Sequence, residues 1–263
     1  PADAQAYARL TRAAADGGAD LVVWPEHAVG EYVQEPSPAR DLVLAASRRT
    51  GADLVLGAPS YDAGAGGPTY HNSVFLVRDG TLAGRYDKQR LLPVAEDGAL
   101  ATMLPGAGRY ASGRPVRGLR ARDALVGASI CFEAMYPELV RGIVAGGAEL
   151  LVNVSNDVWF GHASPAETHL AMAALRAVEN RRWLVRAAAT GVSAVVDPAG
   201  RVVARAEFGV PGVVSATVRP LHVRTPYQRW GDGAAWLLAA LAAAASLRRP
   251  RKTQLAHVEG GTS

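Results

Sequence analysis

Residues 124–154 read ALVGASICFEAMYPELVRGIVAGGAELLVNV, and this stretch decides the class of fold. Its first seven residues, 124–130, are small and apolar and predict a buried strand, as do residues 149–154 at its end. Residues 136–145 have the pattern of a helix, and a pair of glycines follows where that helix should stop. Strand, helix and strand in this order predict an α/β layered fold in which helices cover the faces of a sheet.

The same alternation of short apolar runs and helical stretches continues on both sides of this segment. Ser37 and Pro38 are typical of the first residues of a helix, as N-cap and first helical position. Asp79 and Gly80 predict the turn of a hairpin. The remaining predicted elements are helices over 3–16, 37–50 and 165–181, strands over 20–24, 54–58, 184–189, 193–196 and 201–204, and a hairpin over 72–86.

The composition is that of a folded domain with a buried core. Of the 263 residues, 49% are hydrophobic and 20% are charged, which excludes global disorder. A single cysteine excludes an intramolecular disulfide and a cysteine-rich zinc module. The net charge is +4, but residues 248–263 hold four basic residues and one acidic residue. The other 24 basic and 23 acidic residues leave +1, so bulk charge does not predict nucleic-acid binding.

Three polar residues stand where predicted strands end. Glu26 and Cys131 each follow an apolar strand, and Lys88 ends a strand of the hairpin. Residues at such positions converge at one edge of an α/β sheet, where active sites form. A carboxylate can take the proton of a thiol, and a lysine can stabilise the thiolate and later an oxyanion, so the three form a self-consistent set for acyl transfer. The alternative is that Cys131 is a buried small hydrophobic residue.

Lysine usage favours a special role for Lys88. The chain has 28 basic residues, and only two of them, Lys88 and Lys252, are lysines. Arginine stays protonated and presents a planar, forked set of N–H donors, whereas lysine is a compact point charge whose pKa can be tuned. A lysine retained in the body of such a chain is a candidate for chemistry that arginine cannot perform. The alternative is an ordinary surface lysine.

The sequence around these residues resembles the three signature blocks of the nitrilase, or carbon-nitrogen hydrolase, superfamily. The blocks, in the order of that superfamily, are Trp24-Pro-Glu26, residues 86–96 (YDKQRLLPVAE) and Cys131-Phe-Glu133. The resemblance implies a four-layer αββα sandwich. It also implies that Glu26 is a general base, that Lys88 stabilises the tetrahedral intermediate and that Cys131 is the nucleophile.

Within that superfamily the chain is similar to the apolipoprotein N-acyltransferases. The segments that carry this similarity are residues 155–161 (SNDVWFG), 165–179, 224–227 (RTPY) and 229–232 (RWGD). The last two segments stand directly before an apolar stretch. In that family similar segments connect the catalytic domain to the last transmembrane helix. Two features depart from the family. The family has transmembrane helices before its catalytic domain and this sequence includes none, and the first strand of the sandwich is expected to be missing because residue 1 already lies in the first helix. We therefore expect the sequence to be a fragment or part of a split gene.

The resemblance implies three parts: a catalytic domain over 1–227, a transmembrane helix with a basic flank over 228–250, and a flexible tail over 251–263. The unbroken apolar run, 234–247, is shorter than the roughly 20 residues of a typical span, so the span would include residues 231–233. The alternative is a terminal helix packed on the domain. The resemblance implies a bacterial cytoplasmic (inner) membrane protein with its catalytic domain on the extracytoplasmic side, and a basic flank on the inner side agrees with the positive-inside rule.

The resemblance further implies an N-acyltransferase. Cys131 would take an acyl chain from a membrane phospholipid as a thioester, and the N-terminal amine of a diacylglyceryl-cysteine lipoprotein would then accept it. The implied partners are the phospholipid, the lipoprotein and the membrane, and no cofactor is implied. No metal site is expected, because His162 and His169 stand seven residues apart with no third ligand placed with them.

Four more residues are candidates for supporting roles. Glu96 lies eight residues after Lys88, where the family has a glutamate associated with the active site, and could hold the lysine ammonium; otherwise it is a carboxylate on a loop surface. Glu133 could position backbone or bind the attacking amine. Trp159 and Phe160 could line an acyl-chain pocket, although buried aromatic residues more often belong to a core.

Two other functions remain open from the sequence. A soluble nitrilase-type amidase would hydrolyse a small amide with the same Glu-Lys-Cys triad. A truncated or decayed domain would bind lipid or a partner without turnover, although the intact signature blocks argue against decay.

Overall fold

The structure is a computed structural model that describes residues 2–93, 96, 110–158 and 161–247. The predicted helices and strands are present in the predicted order, and the structure adds a short strand over 119–120, a 3₁₀ helix over 131–135 and a short helix over 226–230. The elements are α1 (Ala2–Asp16), β1 (Leu21–Val23), α2 (Pro38–Thr50), β2 (Asp53–Asp62), β3 (Thr69–Arg78), β4 (Thr81–Asp87), β5 (Leu119–Arg120), β6 (Leu125–Ile130), a 3₁₀ helix (Cys131–Met135), α3 (Pro137–Ala145), β7 (Leu150–Ser155), α4 (Ala163–Asn180), β8 (Leu184–Ala188), β9 (Ala194–Val196), β10 (Val202–Arg205), α5 (Pro226–Trp230) and α6 (Gly233–Leu247).

The strands form two sheets. One sheet has four strands in the order β1-β2-β3-β4, and the other has six in the order β10-β9-β8-β7-β6-β5. β1 is parallel to β2, and β6, β7 and β8 are parallel to one another, while the remaining pairs are antiparallel. Parallel neighbours need a crossover connection, and α3 and α4 are the crossovers between β6, β7 and β8.

Three apolar layers hold the sheets and helices together. The outer face of the four-stranded sheet packs against α1 and α2 through residues that include Leu54, Leu56 and Phe75. Val55 points to the other face of the same sheet and belongs, with Val152 of β7, to the layer between the two sheets. The third layer joins the far face of the six-stranded sheet to α3 and α4. The order of layers is helices, sheet, sheet, helices, so the predicted αββα sandwich is confirmed.

The ends of α2 are where the sequence predicts them. The Ser37 hydroxyl accepts a hydrogen bond of 3.1 Å from the backbone N–H of Arg40, and Pro38 occupies the first turn, where a proline costs no hydrogen bond. Gly51 ends the helix with a φ of 71°, a left-handed conformation that glycine adopts without strain.

The predicted transmembrane helix over 228–250 is not supported. The chain forms two helices in this region, and Gly231, with a φ of 54°, separates α5 from α6. The 15 residues of α6 measure about 22 Å at the usual helical rise, against about 30 Å for the hydrocarbon core of a bilayer. No helix among the described residues combines the length and the apolar character that a membrane span requires.

The segment over 224–227 (RTPY) attaches α5 to the C-terminal end of α4. The Thr225 hydroxyl donates to the carbonyl oxygen of Glu179 at 2.7 Å and accepts from the backbone N–H of Gln228 at 3.1 Å. The Gln228 side chain donates to the carbonyl oxygen of Asn180 at 3.1 Å. These bonds satisfy polar groups at the C-terminal end of α4, which explains why a capping threonine followed by proline begins α5.

Two glycines test how closely α3 packs on the sheet. A Cβ atom added to Gly127 of β6 would lie 2.5 Å from Cγ2 of Ile143, whereas one added to Gly142 of α3 would meet nothing within 4 Å. We therefore expect Gly127→Ala to lower the free energy of unfolding by about 1–3 kcal/mol through overpacking. Gly142→Ala should raise it by about 0.5–1 kcal/mol, because alanine favours the helix. Denaturant unfolding followed by tryptophan fluorescence checks both, and equal effects would contradict this account.

Candidate active site

The ends of three strands bring the predicted triad together. Glu26 follows β1, Lys88 follows β4 directly, and Cys131 follows β6 directly as the first residue of the 3₁₀ helix. Nζ of Lys88 lies 3.6 Å from Oε1 of Glu26. The charges of Glu26 and Lys88 both act on the Cys131 thiol, so the three side chains share one electrostatic environment.

Lys88 is a buried cation between two carboxylates. Its side chain is 2% exposed, and Nζ lies 2.9 Å from Oε1 and 2.8 Å from Oε2 of Glu96. Burial alone would lower the pKa of Lys88, but the negative charges of Glu26 and Glu96 raise it above its ordinary value. Glu96 therefore contacts the ammonium directly, and Lys88 is a buried side chain and not a surface lysine.

Glu26 is held by hydrogen bonds to both of its oxygens. Nδ2 of Asn72 donates to Oε1 at 2.8 Å, and the backbone N–H of Asn156 donates to Oε2 at 2.9 Å. The loop that carries Glu26 lies directly against β2, because a Cβ atom added to Gly57 would stand 2.5 Å from Cα of Glu26. The absence of a side chain at Gly57 thus lets the carboxylate reach Lys88.

Asn72 links the two carboxylates that flank the lysine. It lies on β3, is fully buried, and its Nδ2 also donates to Oε1 of Glu96 at 2.9 Å. Burial would raise the pKa of Glu96, but the Lys88 ammonium and the donors Leu92 and Asn72 lower it below its ordinary value. The sequence analysis did not identify Asn72, because its neighbours on β3 are polar as well and nothing local distinguishes it from them.

Cys131 has a left-handed backbone conformation with a φ of 51°, which is uncommon outside glycine. Its carbonyl oxygen lies 3.1 Å from Nε2 of His169 and accepts from Nδ2 of Asn153 at 3.4 Å. Burial and the nearby charge of Glu26 raise the pKa of the Cys131 thiol to about 12, although Lys88 and Ser155 oppose the shift. The resting side chain is therefore a neutral thiol that needs a base.

Glu133 joins the lysine segment to the nucleophile segment. It is fully buried, and its Oε1 accepts from the backbone N–H groups of Gln89 and Arg90 at 2.7 and 3.0 Å. Its Oε2 accepts from the N–H of Ile130 and from the Tyr86 hydroxyl, both at 2.8 Å. With both oxygens occupied, the geometry favours the first of its two predicted roles, the positioning of backbone.

The remaining sequence predictions concern substrate and metal binding. Trp159 and Phe160 lie outside the described residues. Among the residues that are described, Asp62, His71 and Asp87 form one group whose candidate ligand atoms lie within 4.8 Å of one another. The Arg85 guanidinium already bridges the two aspartates at 2.8 and 3.0 Å, so a metal ion would have to displace it.

The chain belongs to the carbon-nitrogen hydrolase family, whose model matches residues 2–226. Solved structures share the fold. An amidase from Nesterenkonia sp. superposes with a TM-score of 0.65 over 91% of this chain and 89% of its own, at 22% identity. The NitFhit protein of C. elegans does so with a TM-score of 0.64 over 94% of this chain and 61% of its own, at 23% identity. At these identities the likeness concerns the fold alone.

More similar in sequence are proteins named apolipoprotein N-acyltransferase. The one from Geobacter metallireducens is 35% identical over 260 residues, which are 95% of this chain and 50% of that protein. The one from Azotobacter vinelandii is 36% identical over 238 residues, or 85% of this chain and 44% of that protein. The chain thus spans about half the length of the curated relatives it matches.

Because Glu133 accepts four hydrogen bonds, the stability of the protein should depend on both of its carboxylate oxygens. Glu133→Gln replaces one acceptor oxygen by an NH₂ group that faces N–H donors, so we expect the free energy of unfolding to fall by about 1–3 kcal/mol. The rate of acylation of Cys131 should fall with it, because the lysine segment is no longer held to the 3₁₀ helix. Tyr86→Phe is the matched control, since it removes a single donor. Denaturant unfolding of the two variants measures the difference, and an equal loss in both would argue against the four-bond arrangement.

Proposed function

We propose that the protein is the catalytic part of an apolipoprotein N-acyltransferase, which moves an acyl chain from a phospholipid to the N-terminal amine of a diacylglyceryl-cysteine lipoprotein. The observation that carries the chemistry is the buried lysine between Glu26 and Glu96 beside the Cys131 thiol. The similarity to relatives of that name over 95% of the chain supports the choice of substrates.

In the first half-reaction Cys131 acts as the nucleophile and Glu26 as the general base. Sγ attacks the ester carbonyl of the phospholipid while Glu26 takes the thiol proton, and the oxyanion of the tetrahedral intermediate forms beside the Lys88 ammonium. The bond to the glycerol oxygen then breaks. The proton passes from Glu26 to that oxygen, so a lysophospholipid leaves and the acyl chain remains on Cys131 as a thioester.

In the second half-reaction the lipoprotein amine attacks the thioester. Glu26 takes a proton from the amine nitrogen, the carbon–sulfur bond breaks, and the thiolate recovers that proton, leaving an amide. Glu96 keeps the ammonium of Lys88 in place through both steps, and Glu133 keeps the lysine segment against the nucleophile. In this proposal Trp159 and Phe160 line the site of the acyl chain.

The proposal places the enzyme at the bacterial inner membrane, with the catalytic domain over 1–227, a membrane-contacting segment over 228–250 and a tail over 251–263. What supports contact with lipid is the surface of α6. Its Trp236 and Leu238 side chains are 73% and 67% exposed, and Ser246 is the one polar side chain of the helix. Exposed apolar patches of this kind mark sites of association with membranes or proteins.

The decisive experiment is the intact mass of the protein after incubation with phospholipid vesicles. We expect a mass increase equal to one acyl chain that hydroxylamine removes, because hydroxylamine cleaves thioesters. Cys131→Ala should show no increase, since it lacks the sulfur.

The same samples separate the alternatives. An increase that persists in Cys131→Ala would contradict a thioester at this residue. A folded wild-type protein that forms no lipid-derived adduct, yet hydrolyses small amides in a Cys131-dependent manner, would instead be an amidase with the same triad. Failure of both reactions in a folded sample would favour a binding domain without turnover.

A further inference from the structure

A second group of buried polar side chains lies under the nucleophile, outside the triad. Asp157, His169 and Arg186 have side chains that are 0–1% exposed. Nη2 of Arg186 donates to Oδ2 of Asp157 at 2.7 Å, and the Ser155 hydroxyl donates to Oδ1 at 2.6 Å. Nη1 of Arg186 donates to the side-chain oxygen of Asn153. No step of the proposed reaction uses these groups.

The network reaches the nucleophile through His169. Its Nδ1 lies 3.1 Å from Oδ1 of Asp157, and its Nε2 lies 3.1 Å from the carbonyl oxygen of Cys131. A carbonyl oxygen can only accept, so Nε2 carries a proton and donates it whatever the state of Nδ1. Asp157 and Arg186 hold one side of the imidazole, which aims the other side at the backbone of Cys131.

The backbone of Cys131 needs such a restraint. A φ of 51° is strained for a residue other than glycine, and such a residue keeps this conformation only where its surroundings enforce it. Glu133 holds the N–H of Ile130, the residue before Cys131, and His169 and Asn153 hold the carbonyl oxygen of Cys131 itself. The bond from His169 is the shorter of the two to that carbonyl.

We propose that His169 is a positioning residue for the nucleophile: by donating from Nε2 to the carbonyl oxygen of Cys131, with Asp157 and Arg186 fixing its ring, it holds the thiol at the angle needed for attack. The inference rests on the Cys131 chemistry of the proposed function but not on the lipid substrate. It applies to acylation of Cys131 by any activated ester.

Three substitutions of His169 distinguish its contact through Nε2 with Cys131 from its contact through Nδ1 with Asp157. His169→Gln retains a donor at the position of Nε2, His169→Asn retains one at the position of Nδ1, and His169→Ala retains neither. The assay is the burst of 4-nitrophenolate from 4-nitrophenyl acetate, in which Cys131 forms a thioester, the ester C–O bond breaks and Glu26 takes the thiol proton. Labelling with iodoacetamide in the same samples counts the accessible thiol.

We expect the burst rate to fall roughly 10²-fold in His169→Asn and His169→Ala, and by less than about 10-fold in His169→Gln, because small errors in nucleophile position cost that much. The unfolding midpoints of the Gln and Asn variants should be similar, so a purely structural role would not produce this order. A wild-type burst rate in folded His169→Asn, or a His169→Gln rate as low as that of His169→Ala, would overturn the proposal.

Two spectroscopic measurements address the hydrogen bond itself. Because the chain has one cysteine, labelling cysteine with ¹³C at the carbonyl yields a single resonance, which should move to lower ppm in His169→Asn and not in His169→Gln. In the wild-type protein labelled with ¹⁵N-histidine, the Nε2–H of His169 should be protected from solvent exchange. An unprotected Nε2–H would overturn the proposal even if the Asn and Ala variants failed to fold.

The acylation assay also keeps this inference separate from the lipid substrate. If phospholipid leaves no adduct but 4-nitrophenyl acetate produces a burst, the proposed function fails while the test of His169 still stands. If both wild-type reactions proceed and the substitutions have no effect on the burst, the inference about His169 fails and the proposed function remains.

Discussion

The buried ammonium of Lys88 is the interaction on which the active site depends. A cation that is 2% exposed costs several kcal/mol in lost hydration unless carboxylates compensate it, and here Glu26 and Glu96 do so. The first comes from the end of β1 and the second from the segment after β4, so one charge fixes the relative position of both. Asn72 donates to both carboxylates and so fixes their positions relative to β3.

The charge balance around this lysine determines how the thiol can react. Two carboxylates and one ammonium carry a net charge of −1, and a thiolate would make it −2 in a buried site. Burial and then the charge of Glu26 raise the pKa of the Cys131 thiol to about 12, and Lys88 offsets only part of this rise. A preformed thiolate, as in enzymes that pair cysteine with a cationic group, is therefore disfavoured. In the proposed mechanism attack is concerted with proton transfer to Glu26, which leaves the net charge of the site unchanged.

The sequence predicted the parts of the site that follow from strand ends, and missed the parts that follow from tertiary contacts. Glu26, Lys88 and Cys131 could be found because residues after strands converge at one sheet edge. Asn72 and His169 could not, since their partners are 46 and 38 residues away and each lies inside a strand or helix where a polar residue carries no local signal. The layered fold followed from periodicity, but the apolar C-terminal run did not reveal the break that shortens α6.

The triad alone does not choose between hydrolysis and transfer, because Glu26 would accept a proton from water as well as from an amine. The choice depends on what reaches the thioester. Glu26 and Lys88 are 6% and 2% exposed, whereas Cys131 is partly exposed, so of these three residues Cys131 is the one that an acceptor can reach. A bound acyl chain would cover that side with apolar surface and exclude water. An amine that brings acyl chains of its own can pack against this surface, so the burial that protects Lys88 would also favour a lipid-linked acceptor over water.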